Sequence, residues 1–209
     1  MSVAPTTAPL LGEPLPVELM NTVWADRDGV HDALATPADT AAWMRAVADR
    51  PDVEVPELTR WLDAGSRNEL TSVHRSMRHL RDAARCLAAR RTDDPRDAGT
   101  HPISATTAVA TVNDLASSAP AWPVLDWSGS GVPEVGRTSE AAAGSVLVAD
   151  IARATIALLA GSGLRACLAP GCVLYFIKQH PRREWCSDAC GNRARQARHY
   201  RRNRPPATQ

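Results

Sequence analysis

Apolar residues recur along much of this chain at the three- and four-residue spacing of amphipathic helices. The clearest run begins at Ser66-Arg67-Asn68-Glu69, which has the form of a capping box. Beyond it, one apolar stripe follows a helix of about six turns. The stripe consists of Leu70, Val73, Met77, Leu80, Ala84 and Leu87. It is too short for a coiled coil and is typical of a helix that packs in a domain core.

A second helix start lies upstream of this run. Thr36 is a good N-cap residue, Pro37 suits the first helical position, and Asp39 is an acid at the third. These signals predict a helix from Pro37 to about Asp49. The alanine-rich segment 104–115 predicts a further short helix.

The apolar stretch 139–160 also predicts a helix, and its length approaches that of a membrane span. Asp150 and Arg153 fall in its middle, where a bilayer would make charges costly. We therefore expect a core helix and no membrane span. The predicted core face carries Leu147, Ile151, Ala154 and Leu158.

Residues 122–127 and 132–135 favour a β-hairpin around Gly129-Ser130-Gly131, although Pro123 and Pro133 weaken this prediction. The expected fold is therefore mainly α with minor β, comprising a helical N-terminal domain with a small hairpin and a different C-terminal module. The predicted parts are a flexible Pro-rich leader (1–16), an α-rich domain (17–162), a zinc module (163–204) and a disordered tail (205–209).

Four of the five cysteines form two short pairs separated by about a dozen residues, a spacing typical of a closed zinc site. Four thiolates complete a tetrahedral shell, so the sequence predicts one structural Zn²⁺. Its predicted ligands are Cys167, Cys172, Cys186 and Cys190. The fifth cysteine, Cys86, lies beside the apolar stripe and is expected to be a structural thiol.

Two other arrangements of the cysteines stay open at this point. Paired disulfides would need an oxidising compartment, and the N-terminus shows no basic and apolar signal segment. We therefore expect a cytoplasmic protein with reduced thiols. His180 lies between the two pairs and could replace one cysteine as a ligand.

The residues around the cysteines predict a treble-clef-like module. Pro170-Gly171 suits a tight turn within the first pair, and the apolar run 173–177 predicts a strand. Ser187 is a good N-cap, which places Cys190 in the first turn of a helix. Metal binding would supply most of the folding free energy of such a small module. Its expected core is Tyr175, Phe176 and Trp185.

Charge is distributed unequally between the two parts. From residue 163 onward, ten Lys and Arg face two acids (net +8), whereas residues 1–162 carry fourteen Arg against 21 acids (net −7). Zinc with four thiolates contributes −2, which leaves the module at about +6. This charge favours a phosphate-rich partner such as DNA. A solvated tail, or a tail docked on the acidic part of its own chain, explains the charge without DNA.

The predicted DNA-contacting residues surround the second cysteine pair and occupy the helix that follows it. They are Arg182, Arg183, Asn192, Arg193, Arg195, Arg198, Arg201 and Arg202. One short module buries little surface on DNA, so we expect a homodimer, although no residue specifies it. The alternative function is a protein-interaction adaptor whose basic module docks an acidic protein surface.

The N-terminal part carries no recognisable enzyme motif. His31, Asp28 and Asp32 form a small acid–histidine cluster, and His74 and His79 lie on the long helix without metal-ligand i, i+4 spacing. The sequence shows no phosphate loop and no nucleophile elbow. We therefore expect a non-enzymatic protein. Asn21-Thr22, near Trp24 and Trp43, would either line a ligand pocket or cap a turn.

The string Cys186-Ser187-Asp188-Ala189-Cys190-Gly191-Asn192-Arg193, preceded by Arg182-Arg183-Glu184-Trp185, resembles the CGNR zinc-finger family of bacterial proteins. Glu18-Leu19-Met20-Asn21-Thr22 and the segment from Leu34 to Trp43 are similar to the ABATE domain that precedes this finger in the family. The resemblance implies a two-part, stress-induced transcription regulator. Its N-terminal domain would sense a small molecule or a protein effector.

Overall fold

A computed structural model of the protein describes residues 8–96, 103–127 and 131–203. The fold is mainly α with minor β, as the sequence predicts, and the described residues form three small antiparallel hairpins. The helices are α1 (Leu15–Met20), α2 (Pro37–Val47), α3 (Leu58–Ala64), α4 (Arg67–Arg91), α5 (Ala105–Ser117), α6 (Ala143–Ala160) and α7 (Asp188–Asn203). The strands are β1 (Val23–Ala25), β2 (Val30–Asp32), β3 (Trp122–Asp126), β4 (Glu134–Thr138), β5 (Leu164–Ala166) and β6 (Tyr175–Ile177).

Helix α4 is the centre of the fold. Its capping box is formed, because Ser66 and Glu69 exchange side-chain to backbone hydrogen bonds. On the predicted stripe Val73, Met77 and Leu80 are buried against the other helices. Helices α1, α2, α5 and α6 all pack against α4, which makes it the scaffold for both ends of the chain.

Helix α6 is long and apolar enough to cross a membrane by length and composition alone, as no other helix in the described ranges is. In the structure it is a core helix, since Leu147 and Ile151 are fully buried while Ala154 is exposed. Asp150 in its middle is paired with Arg137 of β4 and with Arg153. This ion-pair cluster ties the β3–β4 hairpin to the helical core.

The hairpin of β3 and β4 forms with Trp122 opposite Thr138 and Asp126 opposite Glu134. Its second strand begins and ends later than predicted from residues 132–135. The predicted turn residues Gly129-Ser130 lie outside the described residues, as do residues 97–102.

Residues 11–16, which the prediction assigned to a flexible leader, belong to the fold. Helix α1 starts at Leu15, and Glu13 is only 1 % exposed. The Glu18 carboxylate holds the segment in place by accepting the backbone N–H groups of Leu11 (3.0 Å) and Glu13 (2.8 Å). Residues 1–7, Arg204 and the predicted tail 205–209 lie outside the described residues.

Candidate metal centre and basic helix

The first cysteine pair lies on a tight turn between two short strands. Strand β5 leads into Cys167, whose N–H donates to the carbonyl of Leu174. The turn closes where the N–H of Cys172 donates to the carbonyl of Ala169 (2.9 Å). Gly171 takes a φ of +72°, which favours glycine there. The Pro-Gly signal therefore predicts this turn correctly.

The second cysteine pair lies at the start of α7. The Ser187 hydroxyl accepts the N–H of Cys190 (3.4 Å), so this serine caps the helix as expected. The N–H of Cys186 points at the sulfur of Cys167 (3.5 Å), which links the second pair to the first. Two distant pieces of chain thereby converge on one point.

The four sulfur atoms have the separation that a single zinc ion requires. They all lie within 4.8 Å of one another, and all four cysteines are buried. The Sγ atoms of Cys172 and Cys186 are 3.8 Å apart, and those of Cys186 and Cys190 are 3.4 Å apart. Tetrahedral Zn–S bonds of about 2.3 Å place sulfurs about 3.8 Å apart. The donor set and its spacing therefore fit one tetrahedral Zn²⁺, whereas the exposed His180 is not part of the cluster.

The short distances between the sulfur atoms shift the pKa values of Cys167 and Cys186 in opposite directions. Hydrogen bonds from Cys172 and Cys186 lower the pKa of Cys167, while the contact with Cys167 raises the pKa of Cys186. Four adjacent thiolates would repel one another strongly. A divalent cation among them removes this repulsion and allows all four to ionise.

The three residues that were predicted to form the small core of the module pack in two different clusters. Phe176 and Trp185 lie with the cysteines, joined by Leu11 and Trp24 from the N-terminal part. Tyr175 instead faces α1 and α4, where it packs with Val17, Met20, Ala84 and Ala88. The C-terminal module is therefore seated on the helical part by its own strand β6.

Polar side chains of the N-terminal part bind the backbone of β6. Asn21 uses both ends of its amide, donating to the carbonyl of Tyr175 (3.0 Å) and accepting its N–H (2.9 Å). Glu13 accepts the N–H of Ile177 (2.9 Å) and the guanidinium of Arg183. Asn21 thus binds the zinc module to the N-terminal part and does not line a ligand pocket. In the sequence, this role is indicated only by the position of Asn21 in the string 18–22.

The acids of this contact are held by arginine and by backbone N–H groups. Burial raises the pKa of Glu18 above its ordinary value, although the N–H groups of Leu11 and Glu13 and the charge of Arg50 oppose that rise. Burial would also raise the pKa of Asp94, but hydrogen bonds from Arg96 hold it below its ordinary value. Tyr175, which donates to Asp94 (3.0 Å), has a pKa raised by burial to about 12.

Among the described residues, the contacts that bury helix α7 are confined to its first half. Its buried residues are Cys190, Gly191 and Ala194. Among the described residues, the arginines of this helix make no ion pair with an acid. The helix rises about 1.5 Å per residue, so its 16 residues extend for about 24 Å.

The predicted DNA-contacting residues fall into two groups. Four take part in contacts: Arg183 binds Glu13 of the N-terminal part and the carbonyl of Cys186, Arg193 donates to the sulfur of Cys190 (2.9 Å), and Arg195 donates to Asn192. The second group is exposed and holds Arg182, Arg198, Arg201 and Arg202. Among the described residues, Arg183 is the one member of the eight with a hydrogen bond or ion pair to the N-terminal part, so Arg182 and the arginines of α7 present charge to a partner without losing such a contact.

The acid–histidine cluster is held by local pairing. His31 contacts Asp26 (2.8 Å) and stacks on Trp24, and Asp32 pairs with Arg81 (2.5 Å). Elsewhere in the N-terminal part, a groove of about 590 Å³ separates the extended segment 53–56 from the β3–β4 hairpin.

Two family models match the chain and together account for nearly all of it. Residues 13–162 match the ABATE family, described as "Putative stress-induced transcription regulator", and residues 164–203 match the CGNR zinc finger. Comparison with curated proteins gave no match. A CGNR zinc finger whose four cysteine sulfurs lie within 4.8 Å of one another carries one structural zinc ion. The resemblance seen in the sequence is thus confirmed, and the chain belongs to the ABATE family with a C-terminal CGNR zinc finger.

Proposed function

We propose that the protein is a zinc-dependent DNA-binding transcription regulator whose basic helix α7 contacts the nucleic acid. Its zinc ligands are Cys167, Cys172, Cys186 and Cys190. The observation that carries the proposal is the projecting helix α7, whose arginines have no acidic partner among the described residues. Had the basic module evolved to dock on the acidic part of its own chain, these arginines would be paired there.

The proposed contact surface comprises the exposed arginines of α7 together with Arg182. Arginine binds phosphate by two parallel hydrogen bonds and reads guanine edges in the major groove. The zinc cluster fixes the first turn of the helix, which aims the exposed turns away from the protein. The described residues of each chain form one such helix, so specific binding would use two copies of the protein.

The N-terminal part is proposed as the sensor of the regulator. Its groove beside segment 53–56 has a volume suited to a small molecule and is lined by Val55, Trp122 and Val135 among others. A compound that binds there should raise the melting temperature of the wild type and not that of Val135→Asp. Reduced cysteines and zinc suit a cytoplasmic location.

The test of DNA binding is the double variant Arg198→Glu with Arg202→Glu. Fluorescence anisotropy with a random duplex should show wild-type affinity that falls steeply with salt, because each phosphate contact releases counterions. The double variant should lose at least tenfold in affinity and show a salt slope shallower by about 2 or more. Zinc content should stay at one per chain in both proteins.

The matched control reverses two exposed arginines of the helical part, Arg67→Glu with Arg75→Glu. It changes net charge by the same amount on another helix. Equal losses in the two variants would mean that only overall charge matters. DNA binding that is unchanged in the α7 variant would contradict the proposal. A wild type with little affinity for random DNA or heparin at physiological salt would instead favour the adaptor that docks an acidic protein.

A further inference from the structure

One arginine of the N-terminal part binds the backbone of the first cysteine pair directly. The Nη1 atom of Arg96 donates to the carbonyls of both Cys167 (2.8 Å) and Cys172 (2.7 Å). Its other nitrogens are fixed by the Asp94 carboxylate, at 2.8 Å from Nε and 2.6 Å from Nη2. The guanidinium is thus held rigidly while it spans the turn from Cys167 to Cys172, the first knuckle of the metal centre.

A second arginine fastens the chain just beyond this knuckle. Arg85 donates to the carbonyl of Val173 (3.2 Å) and to that of Met20 (2.8 Å). The guanidinium carbons of Arg85 and Arg96 lie 5.3 and 5.5 Å from the ring centre of Tyr175. Cation–π contacts of this kind are strongest when the charge is removed from water, and Tyr175 is only 1 % exposed. Groups outside the zinc module therefore hold the loop 167–175 at Cys167, Cys172, Val173 and Tyr175.

The geometry of this contact links it to the metal. The carbonyls of Cys167 and Cys172 reach the same nitrogen only when the turn between them is closed. A zinc ion requires the same closure, because it draws the sulfurs of these two residues together. Because Arg96 and the zinc ion both bind the closed turn, each strengthens the binding of the other, and this coupling is reciprocal.

We propose that Arg96 is a positioning residue of the zinc site, through which the N-terminal domain sets zinc affinity and zinc occupancy sets the docking of the module. This inference rests on the proposed assignment of Cys167 and Cys172 as ligands. Its regulatory consequence is that a change in the segment after α4 alters how tightly zinc is held, and loss of zinc releases the basic helix from its fixed orientation.

The test measures zinc affinity of the full chain by competition with a chromophoric chelator. Arg96→Ala should weaken zinc binding by about 10- to 100-fold, the range found for residues that hold metal ligands in place. Arg96→Lys keeps the charge but loses the fork held by Asp94, so it should fall between the wild type and Arg96→Ala. With Co²⁺ in place of zinc, the visible absorption of the four-sulfur site should also change in Arg96→Ala.

The matched control is Arg91→Ala. Arg91 likewise donates to two backbone carbonyls, those of Leu159 (3.3 Å) and Gly161 (2.9 Å), but neither lies in the knuckle. Its zinc affinity should stay within twofold of the wild type. An Arg96→Ala protein that also stays within twofold would overturn the proposal. A wild type that binds no zinc would instead refute the ligand assignment.

A measurement on the wild type covers the case in which Arg96→Ala fails to fold. Removal of zinc by a chelator should accelerate amide hydrogen exchange at residues 13–22 and 92–96, which face the module, at least tenfold. Exchange in α5, which packs against α4 and α6, should change little. Exchange at 13–22 and 92–96 that ignores zinc would show that docking and metal binding are independent, contrary to the proposal.

Discussion

At the scale of single residues, the string Cys190-Gly191-Asn192-Arg193 is explained mainly by the metal module itself. Arg193 donates to the sulfur of Cys190, which offsets the negative charge of a zinc–thiolate cluster. Gly191 is buried beneath Trp185, where an added Cβ would lie 3.2 Å from the indole Cδ1. The sequence predicts the metal-binding role of the cysteines from their spacing. It does not distinguish an arginine that faces sulfur from one that faces DNA, because the two differ only in three-dimensional position.

A second glycine under a tryptophan gives a test of packing at this scale. A Cβ on Gly144 of α6 would lie 2.6 and 2.8 Å from the Cζ3 and Cζ2 atoms of Trp61. Gly144→Ala should therefore destabilise the protein by about 1–2 kcal/mol, because overpacking outweighs the better helix propensity of alanine. The melting temperature should fall by about 3–6 °C. Gly131→Ala, where nothing lies within 4 Å, is the control, and an equal shift in both variants would argue against the Trp61 contact.

At the scale of elements, the sequence predicts those whose signals are local. Helices α2 and α4 begin at the capping boxes expected of them, and the β3–β4 hairpin forms despite its prolines. Helices α1 and α3 and the β1–β2 hairpin were not predicted. Helix α1 has six residues that are all buried, so it shows no alternation of apolar and polar positions. The residue before helix α3, Glu57, has a left-handed backbone conformation and makes no side-chain cap, so the sequence carries no signal for the start of this helix.

The β3–β4 hairpin is fixed to α6 by one carboxylate, which makes its attachment dependent on pH. Burial would raise the pKa of Asp150, but hydrogen bonds from Arg137 (2.5 Å) and Arg153 (2.6 Å) lower it below its ordinary value. A lowered folded-state pKa stabilises the protein above the ordinary aspartate range, and this contribution is lost as the pH falls through the folded-state pKa.

Asp150→Asn should therefore lower the free energy of unfolding by roughly 1–3 kcal/mol at pH 7, because a charged hydrogen-bond acceptor is lost beside two arginines. The difference from the wild type should shrink as the pH falls below about 4, because the carboxyl of the unfolded chain becomes neutral there, and it should vanish below the lower pKa of the folded protein. Urea midpoints measured from pH 7 to pH 3 decide this. A difference that is constant over the whole range would show that the charge of Asp150 contributes nothing.

At the scale of the whole molecule, the acidic and basic parts meet mainly through backbone hydrogen bonds and apolar packing. In the described ranges, one ion pair, between Glu13 and Arg183, joins the N-terminal part to the zinc module. Asn21, Arg85 and Arg96 bind backbone groups of the module instead. The charge counts predict the polarity of the chain but not this contact, since hydrogen bonds to backbone leave no complementary pattern in the sequence. The arginines of α7 consequently have no acidic partner among the described residues.

Through this contact, the zinc module contributes to the free energy of unfolding of the helical domain. Leu164 and Tyr175 cover Val17 and Met20 of α1 and the adjacent surface of α4. Cys186→Ser should abolish stoichiometric zinc and unfold the module, since metal binding supplies most of its folding free energy. The helical part should stay folded but lose roughly 1–3 kcal/mol from the exposure of this apolar surface.

Hydrogen exchange on the full-length Cys186→Ser protein distinguishes these effects by position. Protection should vanish over residues 164–203, decrease in α1 and the second half of α4, and persist in α5. Cys86→Ala, outside the sulfur cluster, should retain one zinc per chain and protection of the module. Unchanged protection of α1 in Cys186→Ser would mean that docking adds no stability. Loss of protection in α5 as well would mean that the helical part cannot fold without the zinc module, contrary to a division into two domains.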